Sequence, residues 1–421
     1  MSERIAGRGI SLHGAPARFE RGWREVGHRT WAWLQPNGGW GEANAGLVAG
    51  EDAALLIDTL WDERLAAEML EAARSLQVPP VRTVVNTHSD GDHWWGNRRV
   101  PADAEIITSL PSLEAMRREA PPHEMARLSA LVSRVRMVPG GVGALSRYAY
   151  GMLGPFRFAE VQTRLPDRAF SGRETLEVGG RKVELIEVGP AHTAGDLVVH
   201  VPDASVVFAA DVMFVGVLPV MWHGPIDNWV RALDTLLELD AETYVPGHGP
   251  PCGIDGVRRM RDLMAWTERA AREHRDAGRK PLEAVRAMLD DEEFAPFRDW
   301  EGHERLFITV ATIYSNLDGR GALGTSPAAR ARVLRIVARL AREWAVKRGG
   351  RAGRPLGLIG SPRTHAVPEP VGRGALPVAG RRRAHFVPLL PAGAGGERVG
   401  EPVRGWTDVA AARVDRVRAG M

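Results

Sequence analysis

The stretch Thr87-His88-Ser89-Asp90-Gly91-Asp92-His93-Trp94-Trp95-Gly96-Asn97 determines how the rest of the chain is interpreted. It holds two histidines and two aspartates within six residues, and it directly follows a short β-branched segment, Val81–Asn86, that is predicted to be a strand. Imidazole and carboxylate are the side chains that bind Zn, Mn or Fe in sites that also hold water. Taken alone, the stretch can also be interpreted as a polar turn with Asp-Gly as its bend.

Strands and helices are predicted to alternate around this stretch. A helix over 62–76, with Asp62 as its N-cap, separates strands at 24–34 and 45–57 from the strand before the ligand-rich loop. This order is typical of an α/β protein, whose sites lie beyond the C-terminal ends of strands. The later predicted elements are strands at 104–108, 174–178, 181–188, 196–201, 205–209 and 243–245, and helices at 123–135, 228–239, 257–277, 281–289 and 328–346.

Three later segments each place one histidine or aspartate at the end of a strand-like run. They are Gly189–Asp196 (GPAHTAGD), Phe208–Val212 (FAADV) and Val245–Pro250 (VPGHGP). In this order after the first stretch, they resemble the metallo-β-lactamase superfamily, over about residues 24 to 253. The resemblance implies a four-layer αβ/βα sandwich with metal at the edge of two sheets. The predicted fold class is therefore α/β, with a helical insertion and a helical and disordered C-terminal extension.

The resemblance also implies the metal ligands. It assigns His88 and His192 to a first metal site, Asp92, His93 and His248 to a second, and Asp211 to the bridge between them. Asp58 matches a carboxylate that often lies beneath the site, where such outer partners orient the ligating imidazoles. The implied cofactor is zinc, as one or two ions, and iron or manganese could take its place.

Asp90 departs from the usual pattern, His-x-His-x-Asp-His, because it stands where the second histidine belongs. A carboxylate can still coordinate, as a harder and anionic ligand, so Asp90 is predicted to be a metal ligand as well. The change could weaken the first site, shift its preference toward Fe or Mn, or leave a single ion in the second site. The presence of Asp90 in place of histidine bears on the number and identity of the metal ions more than on the fold.

The expected chemistry follows from such a site. A divalent ion lowers the pKa of bound water from 15.7 to about 7, which gives hydroxide at neutral pH. That hydroxide attacks a carbonyl or phosphoryl centre, and the metal stabilises the negative charge that develops. Asp92 is predicted to be the catalytic residue that orients the water and moves a proton, in addition to its role as a ligand.

Two further residues are predicted substrate contacts, and each also has a plainer interpretation. Trp94 either lines the pocket or packs beneath the loop, and packing is favoured for its neighbour Trp95. His223 lies on a loop that reaches over the metals in the family, or it is simply an exposed loop histidine. Cys252 follows His248 by four residues and is interpreted as structural.

The domain prediction has three parts: a catalytic domain over 1–320 with an insertion at about 110–158, a C-terminal helix over 321–348, and a largely disordered tail over 349–421. The insertion is either a lid over a pocket or a satellite helical hairpin. Residues 321–421 hold 19 Lys and Arg against 6 Asp and Glu, whereas residues 1–320 hold 36 against 46. The basic pI of 9.3 therefore reflects the tail, and no nucleic-acid partner is expected.

The single cysteine excludes an intramolecular disulfide and a Cys-rich zinc module. The first residues, MSERIAGRGISLHG, lack an apolar signal segment, and no apolar run approaches the ~20 residues of a membrane span. These features predict a cytoplasmic protein that acts on a small molecule and does not enter a membrane. They leave the oligomeric state open.

The predicted function is that of a metal-dependent hydrolase that acts on an ester, thioester or lactone. A competing hypothesis is a diiron oxidoreductase of the flavo-diiron type, which also has an acidic residue in place of the second histidine. Such proteins normally carry a flavodoxin domain, which the Gly/Arg/Pro-rich tail cannot form. A polyketide cyclase or thioesterase would use the same ligands, and a scaffold with a degenerate site would keep them without catalysis.

Overall fold

Short apolar segments form two β-sheets that pack face to face. The structure is a computed structural model, and it describes residues 12–14, 16–17, 19–36, 39–323 and 327–347, all within one compact unit. The predicted disordered tail over 349–421 lies outside the described residues. In the described part of the chain, the first sheet has seven strands in chain order: β1 (Gly22–Gly27), β2 (Thr30–Leu34), β3 (Ala45–Ala49), β4 (Ala54–Ile57), β5 (Val81–Val85), β6 (Glu105–Ser109) and β7 (Arg168–Phe170).

The second sheet supplies the other half of the sandwich. Its strands, as far as the structure describes the chain, are β8 (Arg173–Val178), β9 (Arg181–Glu187), β10 (Leu197–Val201), β11 (Val206–Phe214) and β12 (Thr243–His248). Strands β1 to β4 pair antiparallel, and β4 to β7 pair parallel. In the second sheet, β11 and β12 pair parallel and the other pairs are antiparallel. The parallel strands carry their C-terminal ends to the same edge of each sheet.

The inner core lies between the two sheets. Leu55 and Val85 of the first sheet share one buried cluster with Val199 and Phe208 of the second. The sheets approach closely at Gly46, where an added Cβ would lie 2.4 Å from the Phe208 ring. Truncation of a buried aromatic such as Phe208 typically costs about 3–5 kcal/mol, so this contact holds the two halves of the sandwich together.

The helices cover the outer faces and complete the four layers. They are α1 (Glu63–Ala73), α2 (Gly91–Trp94), α3 (Leu110–Met116), α4 (Pro122–Val135), α5 (Gly140–Leu153), α6 (Ile226–Glu238), α7 (Ile254–Asp276), α8 (Pro281–Asp290), α9 (Leu306–Leu317) and α10 (Pro327–Lys347). Asp62 caps α1, because its side chain accepts a hydrogen bond of 2.7 Å from the Leu65 amide. On the second sheet, Trp229 of α6 donates to the Val212 carbonyl at 2.9 Å. The predicted α/β sandwich is confirmed.

The insertion is helical, with α3, α4 and α5, and it is anchored on the body of the protein. Tyr148 of α5 is buried and donates a hydrogen bond of 2.8 Å to Glu304, next to α9. After α5, Phe156 and Phe158 pack on Trp61, with ring centroids 4.5 and 5.0 Å from it. The face of the α4–α5 hairpin that carries Leu131 is exposed. The insertion thus has one packed side and one side in solvent.

Several local predictions were wrong in their boundaries. The stretch 24–34 is a hairpin rather than one strand, because the chain turns between β1 and β2. The predicted loop over 88–97 contains the short helix α2 and a 3₁₀ turn. Strand β11 continues through Asp211 to Phe214, and α9 was not predicted. Helix α9 is apolar nearly all round because it is buried, so it lacks the amphipathic periodicity that reveals a surface helix.

In the part of the chain that the structure describes, every helix is too short or too polar to cross a membrane. The cytoplasmic localisation stays a prediction.

Candidate metal centre

The ends of strands from both sheets meet at one edge of the sandwich. Two backbone hydrogen bonds join the sheets there: Leu197 N–H to the Thr87 carbonyl at 3.0 Å, and Asn44 N–H to the Gly247 carbonyl at 2.7 Å. The predicted ligands form two groups at this edge, His88, His192 and Asp211 in one and Asp92, His93 and His248 in the other. Within each group the candidate ligand atoms all lie within 4.8 Å of one another.

Asp211 lies between the two groups. Its Oδ1 is 3.1 Å from His93 Nε2 in the second group, and its Oδ2 is 3.4 Å from His192 Nε2 in the first. The same Oδ2 is 3.4 Å from His248 Nε2. One carboxylate therefore contacts histidines of both groups, which is the arrangement expected of a carboxylate shared by two ions.

The donor atoms fit a metal. Among the residues that the structure describes, the buried atoms Nε2 of His88, Nε2 of His93 and Oδ1 of Asp211 have no hydrogen-bond partner, although the last two lie 3.1 Å apart. Buried polar atoms normally have partners, because an unpaired one costs about 1–3 kcal/mol. Imidazole nitrogens and a carboxylate are ligands suited to zinc and to other first-row divalent ions. These atoms are thus poised to bind cations, while the identity and number of the ions stay predictions.

An outer network orients the histidines of the first sheet. Asp58 Oδ2 is 2.7 Å from His93 Nδ1, and Asp58 also accepts hydrogen bonds from the Thr87 amide and hydroxyl, both at 2.8 Å. The Thr87 hydroxyl lies 3.0 Å from His88 Nδ1. With each Nδ1 held from behind, the Nε2 atoms face the centre of the site. Asp58 has a φ of +61°, a strained conformation that suits a functional position.

The two histidines of the second sheet are held differently: the His248 ring stacks on Phe214 at 5.2 Å and its buried Nδ1 has no hydrogen-bond partner among the described residues, whereas His192 is held by backbone. His192 Nδ1 contacts the Val220 carbonyl, which fixes the imidazole. The loop around His192 is shaped by Asp196, whose carboxylate accepts from the Ala191 amide at 3.1 Å and from the Thr193 hydroxyl at 2.6 Å. Asp196 is the last residue of the motif GPAHTAGD, but no role was predicted for it from the sequence. The position of Asp196, four residues after His192, could have revealed this role, because a carboxylate there can close a tight loop.

Gly247 keeps space for Asp211. A Cβ at Gly247 would lie 1.8 Å from Asp211 Oδ1. The residue before His248 must therefore be glycine if Asp211 is to hold its present orientation. Sequence analysis did not predict this requirement, since the clash joins two strands that are distant in sequence.

Asp90 contacts the first group without being part of it. Its Oδ2 lies 3.1 Å from His192 Nε2, the atom that would bind a metal. The Asp90 side chain is 34% exposed and that of Asp92 is 15% exposed, against 0–5% for His93, His192, Asp211 and His248. Solvent therefore reaches the site from the side of these two aspartates. The direct ligation predicted for Asp90 stays a prediction.

The charges of the site shift the pKa values of its members. Burial lowers the pKa of His88 well below its usual value, and neighbouring His93 adds to this. Burial also opposes the charging of His192, but Asp211 and Asp90 raise its pKa to about 10. Burial would raise the pKa of Asp90, yet its hydrogen bond to His192 brings it down to about 2. A cation that binds here must displace protons from histidine, as ligation requires neutral imidazole.

The predicted substrate contacts have different outcomes. Trp94 is 2% exposed, and its indole N–H donates to the Ser89 carbonyl at 3.0 Å, so it packs beneath the loop and does not line an open pocket. This corrects the prediction of a substrate contact for Trp94. Trp95 is buried as expected. His223 is half-buried, and its backbone amide donates to the His192 carbonyl at 3.2 Å.

Two tryptophans that sequence analysis missed lie beside the site. The Trp222 amide donates to the His192 carbonyl at 3.0 Å, and the Trp222 ring is 6.5 Å from the Trp40 ring. Both side chains are partly exposed. No local pattern marks them, because Trp40 and Trp222 meet only when the two sheets pack.

Curated proteins with similar sequences include several enzymes. The chain is 26% identical over 267 residues to the 2,4-dinitroanisole O-demethylase subunit alpha of Nocardioides sp. (strain JS1661). The matched region covers 62% of this chain and 65% of that protein. It is 22% identical to the linear primary-alkylsulfatase of Pseudomonas sp. (strain ATCC 19151), over 53% of this chain and 44% of the relative. It is 28% identical over 101 residues to the hydroxyacylglutathione hydrolase of Rhizobium meliloti (strain 1021), over 24% of this chain and 38% of the relative. The chain thus spans less than two thirds of the length of these relatives.

A solved structure shows the same fold. The stereoselective inverting sec-alkylsulfatase Pisa1 from Pseudomonas sp. superposes with a TM-score of 0.55 at 17% identity, over 78% of this chain and 57% of that one. The sequence profile of the metallo-beta-lactamase superfamily matches residues 38–248, half of the chain. This match confirms the superfamily that the sequence motifs resemble. The chain belongs to the metallo-beta-lactamase superfamily.

Proposed function

We propose that the protein is a hydrolase that uses two divalent metal ions, most suitably zinc, to cleave an ester-type bond. The observation that carries the proposal is Asp211, whose two oxygens contact histidines of both ligand groups at 3.1–3.4 Å. In this proposal His88, His192 and Asp211 hold one ion, with Asp90 at its edge. Asp92, His93 and His248 hold the other, and Asp211 is shared.

Metal ions bound in this way supply Lewis acidity and lower the pKa of water toward neutrality. The side chains supply position and proton transfer. Asp92 is a carboxylate at the solvent-facing side of the site, and its Oδ2 lies 3.5 Å from His248 Nε2. It is placed to hold a water in line with a substrate and to take a proton from it. Asp58 and Thr87 keep His88 and His93 fixed, so little reorganisation accompanies the reaction.

The proposed substrate class is an ester, a thioester or a lactone, with an apolar part. Trp40 and Trp222 provide partly exposed aromatic surface beside His192, and aromatic side chains bind apolar groups well. The hydroxyacylglutathione hydrolase among the relatives, a hydrolase by name, is consistent with this class.

A sulfate ester is the second candidate substrate. It is favoured by the alkylsulfatases among the relatives, from Pseudomonas sp. and from Saccharomyces cerevisiae. Hydrolysis of a sulfate ester would use the same metal ions and the same Asp211. The two candidates therefore differ in substrate selection and not in the ligand set.

The test combines metal analysis with a substrate panel. The full-length protein is purified, stripped with a chelator and reloaded with zinc, manganese or iron, and bound metal is measured by elemental analysis. Each form is assayed with a carboxylic ester, a thioester, a lactone, an alkyl sulfate and a phosphodiester. We expect about two equivalents of metal, with turnover of an ester-type substrate that is lost on chelation and restored on reloading.

Three results would contradict or redirect the proposal in distinct ways. Turnover that persists without metal would remove the metal mechanism. Oxygen consumption by the iron-loaded protein, without hydrolysis, would instead support the diiron oxidoreductase. Turnover of the alkyl sulfate alone would keep the metal mechanism and select the second substrate class.

A further inference from the structure

A groove on the C-terminal helices forms a second cavity, separate from the metal centre. It encloses about 840 Å³ between the start of α8, helix α9 and helix α10. One face of α9 is turned toward the metal centre: Thr309 and Thr312 donate to the carbonyls of Pro219 and Met221, at 3.3 and 2.7 Å. The opposite face of α9 lines the groove. Helix α9 therefore separates the two sites.

The floor of the groove is apolar. Phe307 and Ala311 of α9 line it from one side, and Val333 and Ile336 of α10 line it from the other. Leu323 closes one end. A cavity of several hundred Å³ with an apolar floor is of the size and character that holds an organic molecule rather than a single ion.

The rim of the groove is basic, with more cations than carboxylates. Arg275 and Arg320 share the carboxylate of Asp318, at 2.7 and 2.6 Å, and Arg275 also lies 3.8 Å from Asp276. The remaining three basic residues of the rim are Arg279, Lys280 and Arg332. Among the described residues, the charged groups of these three form no ion pair with a carboxylate within 4.0 Å; the Arg279 side chain hydrogen-bonds the His274 imidazole at 3.1 Å, and the Lys280 amide donates to Glu283 at 3.1 Å. The rim thus carries positive charge that the described residues leave unmatched.

We propose that this groove binds an amphiphilic organic anion, namely an alkyl or aryl chain that ends in a carboxylate. The chain lies on the floor between α9 and α10, and the carboxylate lies at Arg279, Lys280 and Arg332. Guanidinium groups suit a carboxylate because they form paired, charge-assisted hydrogen bonds with it. The proposal is independent of the reaction at the metal centre.

The test uses a fluorescent probe and its neutral analogue. A dansyl-labelled undecanoate is titrated into the full-length protein, and the corresponding alcohol, which has no bond to hydrolyse at that end, is titrated in parallel. We expect saturable binding of the acid and binding of the alcohol that is at least about fivefold weaker. Equal binding of the two would overturn the anionic part of the proposal, and no saturable binding of either would overturn it altogether.

Charge reversal locates the site. The double variant Arg279→Glu, Arg332→Glu is compared with Arg24→Glu, Arg173→Glu, a control that reverses two exposed arginines on the sheets. We expect the groove variant to bind the acid about tenfold or more weakly, which corresponds to about 1.4 kcal/mol, and the control to stay within about twofold. Hydrolysis at the metal centre and thermal unfolding report that both variants are folded. Equal affinity of the groove variant and the control would overturn the location.

Discussion

The two halves of the metal centre are built differently. The half on the first sheet is compact in sequence: His88, Asp92 and His93 lie within six residues, and side chains hold the two histidines from behind. The half on the second sheet takes His192, Asp211 and His248 from three separate segments: a backbone contact holds His192, stacking on Phe214 holds His248, and the space at Gly247 admits Asp211. The first half can be recognised locally, whereas the second exists only when strands β9 to β12 are in register.

This difference predicts where the site is most sensitive. Side-chain networks tolerate conservative changes, because a neighbouring donor or water can replace one that is lost. A backbone approach has no such freedom, since a new Cβ must displace a ligand. Four variants test this contrast, and the first is at Asp211, which contacts histidines of both ligand groups.

Asp211→Ala should have the largest effect. Because Asp211 contacts histidines of both groups, its loss should release metal from both and reduce kcat/KM by about 10³-fold or more, the upper range for loss of one preorganised electrostatic group. Elemental analysis and steady-state kinetics measure the two effects. Asp255→Ala, on the exposed start of α7, is the matched control. Loss of only one equivalent of metal would show that Asp211 serves a single ion.

Gly247→Ala should come next. The added methyl would lie 1.8 Å from Asp211 Oδ1, so the carboxylate must move, and a displacement of about 1 Å can cost about 10²-fold in rate. Gly253→Ala is the control, because the nearest atom to its new Cβ, among those within 4 Å, is 3.8 Å away. We expect the control to keep its activity. Comparable activity of the two variants would contradict the idea that backbone space sets the second half of the site.

Asp58→Asn should reduce metal affinity or activity by about 10–100-fold, the usual range for outer partners of ligating histidines. Asparagine keeps the shape and tolerates the positive φ of this position. It removes the charge that faces His93 Nδ1 at 2.7 Å. Competition with a chelator measures the affinity. Thr87→Val, which deletes only the hydroxyl, should have a smaller effect, and the reverse order would contradict the central role given to Asp58.

Asp90→Ala should have the smallest effect on the fold and the most informative effect on the metal. We expect bound metal to fall by about one equivalent, because Asp90 Oδ2 lies 3.1 Å from His192 Nε2, beside the ion that this histidine would hold. Unchanged metal content would show that this contact is only a hydrogen bond. Asp90→His restores the usual family pattern, and we expect it to retain at least the metal content of the parent. Elemental analysis of the three proteins distinguishes the cases.

The sequence predicted the family and the α/β sandwich, because short motifs and short apolar runs are local signals, and it named the residues that form the two groups of candidate ligands. Short apolar runs form strands whatever follows them, and a dense cluster such as His88 to His93 at a strand end is visible within a few residues of chain. Asp62 as the N-cap of α1 was predictable for the same reason, as capping is set by a residue and the next three.

Tertiary structure alone decided how these parts act together. The clash that makes Gly247 necessary, the pairing of Trp40 with Trp222, the burial of Trp94 and the groove between α9 and α10 each join residues from distant parts of the chain. Such contacts depend on how the sheets and helices pack. Close packing permits few arrangements, and no short stretch of sequence specifies which one forms. The local sequence identified the candidate ligands, and tertiary packing determined their spacing and their surroundings.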